Sequence, residues 1–390
     1  MEIQSLKDID KLFESQKEKI KKERKAGTKV VGYICCQVPL ELIHAHGIMA
    51  VRLGTAAESY MATGKEYIHQ YTCPYIKCVV GEMLTKGTFS HDNVDVISGS
   101  VICLTVHRAL EVLKAYTKKP TYYLAIPHLP PNRGEERFFV SEMEWFSARL
   151  SEISGRRLDP QRLRESVALY NSIRATLKEL YRLQAMDGSA IRWIGVFKLI
   201  QSGFLLGPEE YLKLLEDVLS EVKQVSETEG PSTHRKFRIM LSGSPVMPMD
   251  NILIDTIEGT GGRIVADTLC TGLRTFDDLL VEDATLKGLA HTYLYSSPCA
   301  SCQDLDIKSD RRLNKMLKLI SEIPVEGMVY YCLRFCDPYS FKDDEIKEVL
   351  WKEAGLPVLP IHWEYGGSYG PLRTRVEGFL ESLQERMAKR

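Results

Sequence analysis

The stretch VISGSVICLTVHRAL, Val96 to Leu110, decides how the chain is read. It begins inside an apolar, β-branched run, Val94 to Ile97, of the kind that forms a strand buried on both faces. The small residues Ser98, Gly99 and Ser100 predict a turn out of that strand. Cys103 follows at once, and from about Thr105 to Tyr116 apolar positions recur at helical spacing. The same grammar returns twice. RIMLSGS, Arg238 to Ser244, is a strand running into Ser-Gly-Ser, and MVYYCLRFC, Met328 to Cys336, is a strand that delivers a cysteine where it ends. Ligands of open parallel sheets sit outside the carboxyl ends of the strands. Cysteines delivered to that edge therefore suggest a site built from thiolates.

Working outward, 390 residues suffice for two or three domains, and 44% apolar with 26% charged residues is ordinary for a water-facing globular chain. A net charge of -1 gives no global attraction to nucleic acid or to an anionic membrane, so neither is expected as a partner. The start of the chain is charged and lacks a signal-peptide core. The most apolar window, AIRWIGVFKLIQSGFLLG, is interrupted by Arg192, Lys198 and Gln201 and reads as a buried helix, not a membrane span. A cytoplasmic location is the expectation. There the ten cysteines would not form disulfides. Any one of them could equally pack as a small hydrophobe.

Taken in order, residues 1–27 read as an amphipathic helix whose basic run KEKIKKERK is a solvated face. Residues 28–134 alternate strand and helix. Lys29 to Ile34, Ile48 to Leu53, Val94 to Ile97 and Thr121 to Ile126 are the strands, and a polar loop runs through Gly64. Pro39 and Pro74 open helices, and Pro74 places Cys73 at an N-cap. Residues 135–234 carry long helical patterns, with Asp159-Pro160 as a start, Gly155 as a stop and SETEGPSTHRK as a linker. Residues 235–390 return to strand and helix. The expected fold class is α/β: two doubly wound parallel-sheet lobes with a helical segment between them.

Cys35, Cys103, Cys270 and Cys336 all fall at or just past predicted strand ends, Cys73 at a helix N-terminus, and Cys299 in a loop before a helix. Only Cys332, mid-strand, reads plainly as packing; Cys36, Cys78 and Cys302 fit neither pattern cleanly. A structural zinc site prefers paired knuckles, and there is one C-x2-C, Cys299 and Cys302, without a second. Iron–sulfur clusters can draw single thiolates from distant loops. Spacing alone leaves iron–sulfur, zinc and no metal open. No G-x-G-x-x-G follows the first strand, and no P-loop, H-E-x-x-H or G-x-S-x-G is present. GTGGR, Gly259 to Arg263, reads as a helix end entering a strand. His44, His46, His107, His291 and His362 have no metal-ligand spacing.

The order and spacing of several motifs resemble the 2-hydroxyacyl-CoA dehydratase / benzoyl-CoA reductase family. They are GYICCQVPLELIHAHGIMAVRL near the start, CPYIK at Cys73, the strand-end Cys103, LSGSPV at Leu241, DTLCTGLRTF at Asp267, PCASC at Cys299, LRFCDPYS at Leu333, and GPLRTRVEGFLESL near the end. The resemblance spans about residues 28–385. It implies two flavodoxin-like lobes with an iron–sulfur site in the cleft between them. In the dehydratases one [4Fe–4S] cluster sits on three cysteines, matching Cys73, Cys103 and Cys336 here. In a related branch a double-cubane cluster sits on six, matching Cys35, Cys73, Cys103, Cys270, Cys299 and Cys336, usually in a homodimer. Cys36 and Cys302 leave two of those assignments open.

The resemblance further implies that a separate iron–sulfur activator hydrolyses ATP and passes an electron to this protein, which would explain the missing P-loop. The acceptor would be a 2-hydroxyacyl-CoA thioester, dehydrated through a ketyl radical, an aromatic acyl-CoA, or another small molecule. The protein would work as a homodimer or beside a paralogous subunit. From a different class, two α/β lobes around a cleft also describe a non-catalytic ligand-binding or electron-relay protein. Arg373 and Arg375 read either as contacts to a CoA phosphate or as surface residues, and Glu364 and Tyr365 fall near the expected cleft edge.

Overall fold

Eight strands assemble into two separate four-stranded sheets, and every pairing is parallel. The structure, a computed structural model, describes residues 3–128, 133–226, 236–297, 299–301 and 310–389. In the first sheet β1 (Val30–Ile34), β2 (Met49–Arg52), β3 (Val96–Val101) and β4 (Thr121–Ala125) lie in the order β2-β1-β3-β4. In the second, β5 (Phe237–Gly243), β6 (Gly262–Asp267), β7 (Gly327–Leu333) and β8 (Val358–Trp363) lie in the order β6-β5-β7-β8. The two orders are the same pattern. Each sheet turns from one winding direction to the other at its central pair, β1 with β3 and β5 with β7. A crevice opens at such a switch point, outside the carboxyl ends of the strands. β1 and β7 are buried along their whole length, as their apolar runs require. The fold class read from the sequence is the one observed.

Two local expectations need correcting. Ser98, Gly99 and Ser100 do not form a turn. They lie inside β3, which runs on to Val101, with Gly99 paired to Ile34 and Tyr123. Small residues serve there because the Leu104–Thr117 helix packs close: a Cβ on Gly99 would lie 3.2 Å from the Leu110 side chain. In the second lobe Ser242 and Gly243 likewise lie inside β5, paired to Tyr330 and Tyr331, but Gly243, at φ +123°, ends the strand and the chain bends at Ser244. The expected polar loop through Gly64 contains a helix, Glu58–Lys65, which crosses the Pro74–Leu84 helix. The crossing is close enough that a Cβ on Gly64 would meet the Lys77 carbonyl oxygen at 2.0 Å, and one on Gly81 the Tyr60 carbonyl oxygen at 1.8 Å.

Between the sheets in sequence come four helices, Arg133–Ser154, Pro160–Gln184, Trp193–Ser202 and Pro208–Ser226. The Asp159 carboxylate caps the second by accepting the Gln161 N–H at 2.8 Å, and Gly155, at φ +68°, ends the first. The apolar Trp193–Ser202 helix is an interior element whose Trp193 ring stacks on Phe197 at 4.7 Å. No helix among the described residues is long and apolar enough to cross a membrane. The N-terminal pattern is two helices, Gln4–Lys7 and Ile9–Lys25, broken at Asp8 and tied down by Gln4 N–H to Glu221 (2.7 Å). Of the expected linker, residues 227–235 lie outside the described residues, as does Cys302.

One continuous apolar core runs from the first sheet through these helices to the second sheet. A buried polar clamp adds to it. Arg174 of the Pro160–Gln184 helix pairs with Glu41 of the Leu40–Ala45 helix at 2.5 Å, and Tyr293 of the Leu286–Ser296 helix donates to the same carboxylate at 2.8 Å. The three side chains tie the first lobe, the helical segment and the second lobe at one point.

Candidate functional site

The switch-point edges of the two sheets carry the cysteines. Cys73 and Cys103 are the N-caps of the Pro74–Leu84 and Leu104–Thr117 helices, and Cys336 is the N-cap of the short Asp337–Ser340 helix past β7. Cys35 and Cys36 follow β1 directly, Cys270 lies three residues beyond β6, and Cys299 lies past the Leu286–Ser296 helix.

These seven thiols fall into two groups. Cys73, Cys103 and Cys336 form the first: burial pushes all three thiols up, Cys73 to about 12, with Cys103 adding to the effect on Cys73 and both adding to that on Cys336. Cys35, Cys36, Cys270 and Cys299 form the second. There the neighbouring thiols of Cys270 and Cys35 favour the charged form of Cys36 and hold it well below the ordinary thiol range, while Cys36 holds those two well above it. Cys299, from across the gap between the groups, also raises Cys103. Each group draws on both lobes. Cys78 and Cys332 stand apart, both buried in the apolar core and both pushed up to about 12 by burial. They read as packing.

The supports around the first group were not legible in the sequence. The Thr105 hydroxyl lies 3.1 Å from the Cys103 sulfur and within hydrogen-bonding reach of Cys73 as well. The amides of Ile76, Thr105 and Val106, in the first turns of the two longer helices, act on the sulfurs in the direction of the thiolate. The Ser244 hydroxyl accepts the Leu333 N–H at 3.0 Å and favours the charged form of Cys336. Ser244 is the last residue of the second Ser-Gly-Ser, so that motif presents Cys336. Two non-glycine residues beside the sulfurs adopt left-handed backbone, Cys35 at φ 81° and Phe335 at φ 60°. Such conformations cost about 1–3 kcal/mol and persist where the surroundings impose them. Phe335 is imposed by Tyr71 (5.3 Å), the Lys77 ammonium (5.5 Å) and the Arg334 guanidinium (5.1 Å) packed on its ring.

The second group is flanked by two buried arginines. Arg52 ends β2, donates to the Cys270 carbonyl at 3.4 Å and lies over the Phe204 ring at 4.7 Å. Arg274 lies in the short turn after Cys270 and donates to the Tyr339 hydroxyl (3.4 Å) and the Ser297 carbonyl (3.5 Å). The loop holding Cys270 is itself braced by buried Asp267, which accepts from Leu269 N–H, Leu273 N–H and Trp193 Nε1 at 2.8–2.9 Å.

The donor set tests what these groups could hold. It is all sulfur and buried or half-buried, and burial helps to raise five of the thiols, Cys35, Cys73, Cys103, Cys270 and Cys336. Among the described residues no three His, Cys, Asp or Glu side chains meet as they would around a single ion. Four thiolates on one zinc would stand within about 4 Å of each other. An iron–sulfur cluster can draw single thiolates from distant loops, and in its chemistry this all-sulfur donor set is of that kind.

The chain matches the family described as 2-hydroxyglutaryl-CoA dehydratase, D-component, over residues 35–383. It belongs to that family. The family match begins at Cys35 and takes in every cysteine of both groups. At 25% identity over 366 residues, 93% of each chain, it is similar to the Escherichia coli protein YjiM, named as a dehydratase subunit. At 24% over 97% of this chain and 98% of the relative, it is similar to the beta subunit of (R)-2-hydroxyglutaryl-CoA dehydratase from Acidaminococcus fermentans. At 22% over 93% of each, it is similar to one of the subunits of benzoyl-CoA reductase from Thauera aromatica. The D-component family thus joins relatives named for dehydration with one named for reduction, and all three names are those of subunits.

Of the remaining residues singled out in the sequence, Arg373 pairs with Glu377 (2.7 Å) and Arg375 donates to the Pro360 carbonyl, so both face the surface of the last helix. Tyr365 is buried, and Glu364 lies beside Lys65, Lys77 and Arg334 at 3.3–3.8 Å.

Proposed function

We propose that this D-component-family chain is an iron–sulfur enzyme subunit that receives low-potential electrons and uses them on an acyl-CoA-type substrate, in dehydration of a 2-hydroxyacyl-CoA or a related reduction. The observation that carries this is the convergence of seven cysteines from both lobes on the facing switch-point edges, in two groups. Cys73, Cys103 and Cys336 would hold a [4Fe–4S] cluster. Cys270 and Cys299, with Cys35 or Cys36, would hold the second half of a double cubane, and the second group favours this larger loading. Bound there, the cluster would supply electrons and an open iron position able to polarise a carbonyl.

The residues have separable tasks. Thr105, Ser244 and the first-turn amides oppose the burial of the first three sulfurs and favour the thiolates that a cluster would take. The buried clamp of Glu41, Arg174 and Tyr293 keeps the two lobes in register. We infer that ATP is hydrolysed by a separate iron–sulfur activator. The subunit names of the relatives favour work beside a second chain, a copy of this one or a paralogue. We further propose the division 1–27, 28–134, 135–234 and 235–390 as N-terminal helices, first lobe, helical bridge and second lobe. A non-catalytic relay would hold the same metal, so turnover separates the two.

The decisive experiment is anaerobic purification with iron and sulfide analysis. Brown protein with nearly equal iron and sulfide is expected, at about eight irons per chain for the double cubane and about four for the single cluster. Colourless, iron-free protein overturns the proposal. Activator- and ATP-dependent turnover of acyl-CoA thioesters then distinguishes an enzyme from a relay.

A further inference from the structure

Burying a guanidinium is costly unless an anion accompanies it. Buried Arg174 obeys that rule with Glu41, half-buried Arg238 and Arg263 share Asp187, and buried Arg312, though it forms no ion pair, has the Asp310 carboxylate acting on it from two residues away. Arg52 and Arg274 break it. They are 7% and 3% exposed, and neither has a carboxylate partner among the described residues. Their hydrogen bonds go to two carbonyls and a phenol, all uncharged and all long at 3.4–3.5 Å, and the Nε of each is left without a partner. The neighbours of Arg274 that can carry charge are Cys36, Cys299, Cys270 and Tyr339, and those of Arg52 are Tyr75, Cys270, Tyr33 and Cys36. The Tyr75 hydroxyl donates to the Leu53 carbonyl at 3.1 Å and is therefore a neutral phenol, and Tyr33 is buried in the core. The anions that these two cations await are the thiolates of the second cysteine group.

The first group has no such company. Lys77 approaches Cys73, but its ammonium already lies 3.8 Å from Glu364. Two unbalanced positive charges thus stand against one half of the site and none against the other. A thiolate-bound cluster is an anion that becomes more negative on reduction, and nearby positive charge stabilises the reduced form.

We propose that Arg52 and Arg274 are positioning residues that balance the charge of the Cys35/Cys36–Cys270–Cys299 half and hold it at a higher reduction potential than the Cys73–Cys103–Cys336 half. An electron entering the protein would therefore rest first on the half beside the arginines. This rests on the reading that both cysteine groups carry iron.

The test is a reductive titration of the anaerobically loaded protein, followed by electron paramagnetic resonance, beside an iron count. Wild type should reduce in two steps. Arg52→Gln and Arg274→Gln should each lower the upper step by tenfold or more in its equilibrium constant, about 59 mV for a one-electron couple, with the lower step moving less. Arg274→Lys, which restores the charge, should restore the upper step, and this comparison stands even if the glutamine variant loses part of its iron. Unchanged steps in glutamine variants that keep full iron would overturn the assignment of the arginines alone. A lysine variant behaving like glutamine would show that shape, not charge, matters and would overturn it equally. Iron at four per chain in wild type would instead overturn the two-group reading beneath it.

Discussion

Cys103 is the residue on which most converges. It caps a helix, shares Thr105 with Cys73, and is the cysteine that feels Cys299 in the other group. Replacing it by Ser keeps the size and removes the soft ligand. Iron per chain should fall by at least half while the circular dichroism of the helices is retained, and an unchanged iron content would remove Cys103 from the ligand set. Asp250 gives a different residue-scale prediction. It is buried, and burial pushes its carboxyl up to about 7, opposed by the hydrogen bond it accepts from Tyr331 at 2.5 Å. The folded protein therefore prefers the protonated acid. That contribution is complete below the unfolded value near 4 and is lost as pH rises through about 7, at roughly 1.4 kcal/mol per pH unit between them. Denaturant midpoints of the metal-free protein should carry this downward slope from pH 4 to 7, and Asp250→Asn should flatten it. Which residues were legible follows from the range of the interaction. Cys73 could be placed at an N-cap because Pro74 adjoins it. Arg52 and Arg274 could not be found, because what marks them is the lack of a carboxylate in three dimensions, and their partners lie as much as 218 residues away.

At the scale of elements, the buried strands were readable because apolar, β-branched runs bounded by Gly and Pro have few alternatives. The errors came where small residues serve packing instead of turning the chain. Ser98-Gly99-Ser100 is strand because a helix lies close on it, and Glu58–Lys65 is helical despite Gly64, because Gly64 and Gly81 let two helices cross backbone to backbone. This crossing holds the helix that starts at Cys73. Gly81→Ala would drive a methyl into the Tyr60 carbonyl, and overpacking of this kind costs about 1–3 kcal/mol or more. The variant should show a lower melting temperature and reduced iron binding. Full stability would mean that the helices separate without consequence for the site.

At the scale of the molecule, two parallel-sheet lobes and a helical segment were legible from the alternation of strand and helix and from its interruption. How the lobes face each other was not, since no local pattern encodes the clamp of Glu41, Arg174 and Tyr293. Glu41→Ala would leave Arg174 buried without its anion, which costs about 3–5 kcal/mol. The expected outcome is an unfolding free energy from denaturant titration lowered by that amount, with both lobes affected because the core between them is continuous. A loss below about 1 kcal/mol would show that water reaches Arg174 and that the lobes are held together elsewhere.

The division of each cysteine group between the lobes also sets a timetable for the making of the protein. On the proposed ligand set, one group needs residues from Cys35 to Cys299 and the other from Cys73 to Cys336. A nascent chain on the ribosome therefore has neither site until most of it has been synthesised and the second lobe has closed on the first. On that ligand set cofactor insertion is a late, post-translational event, and cells starved of iron should accumulate full-length chain whose two cysteine groups carry no iron.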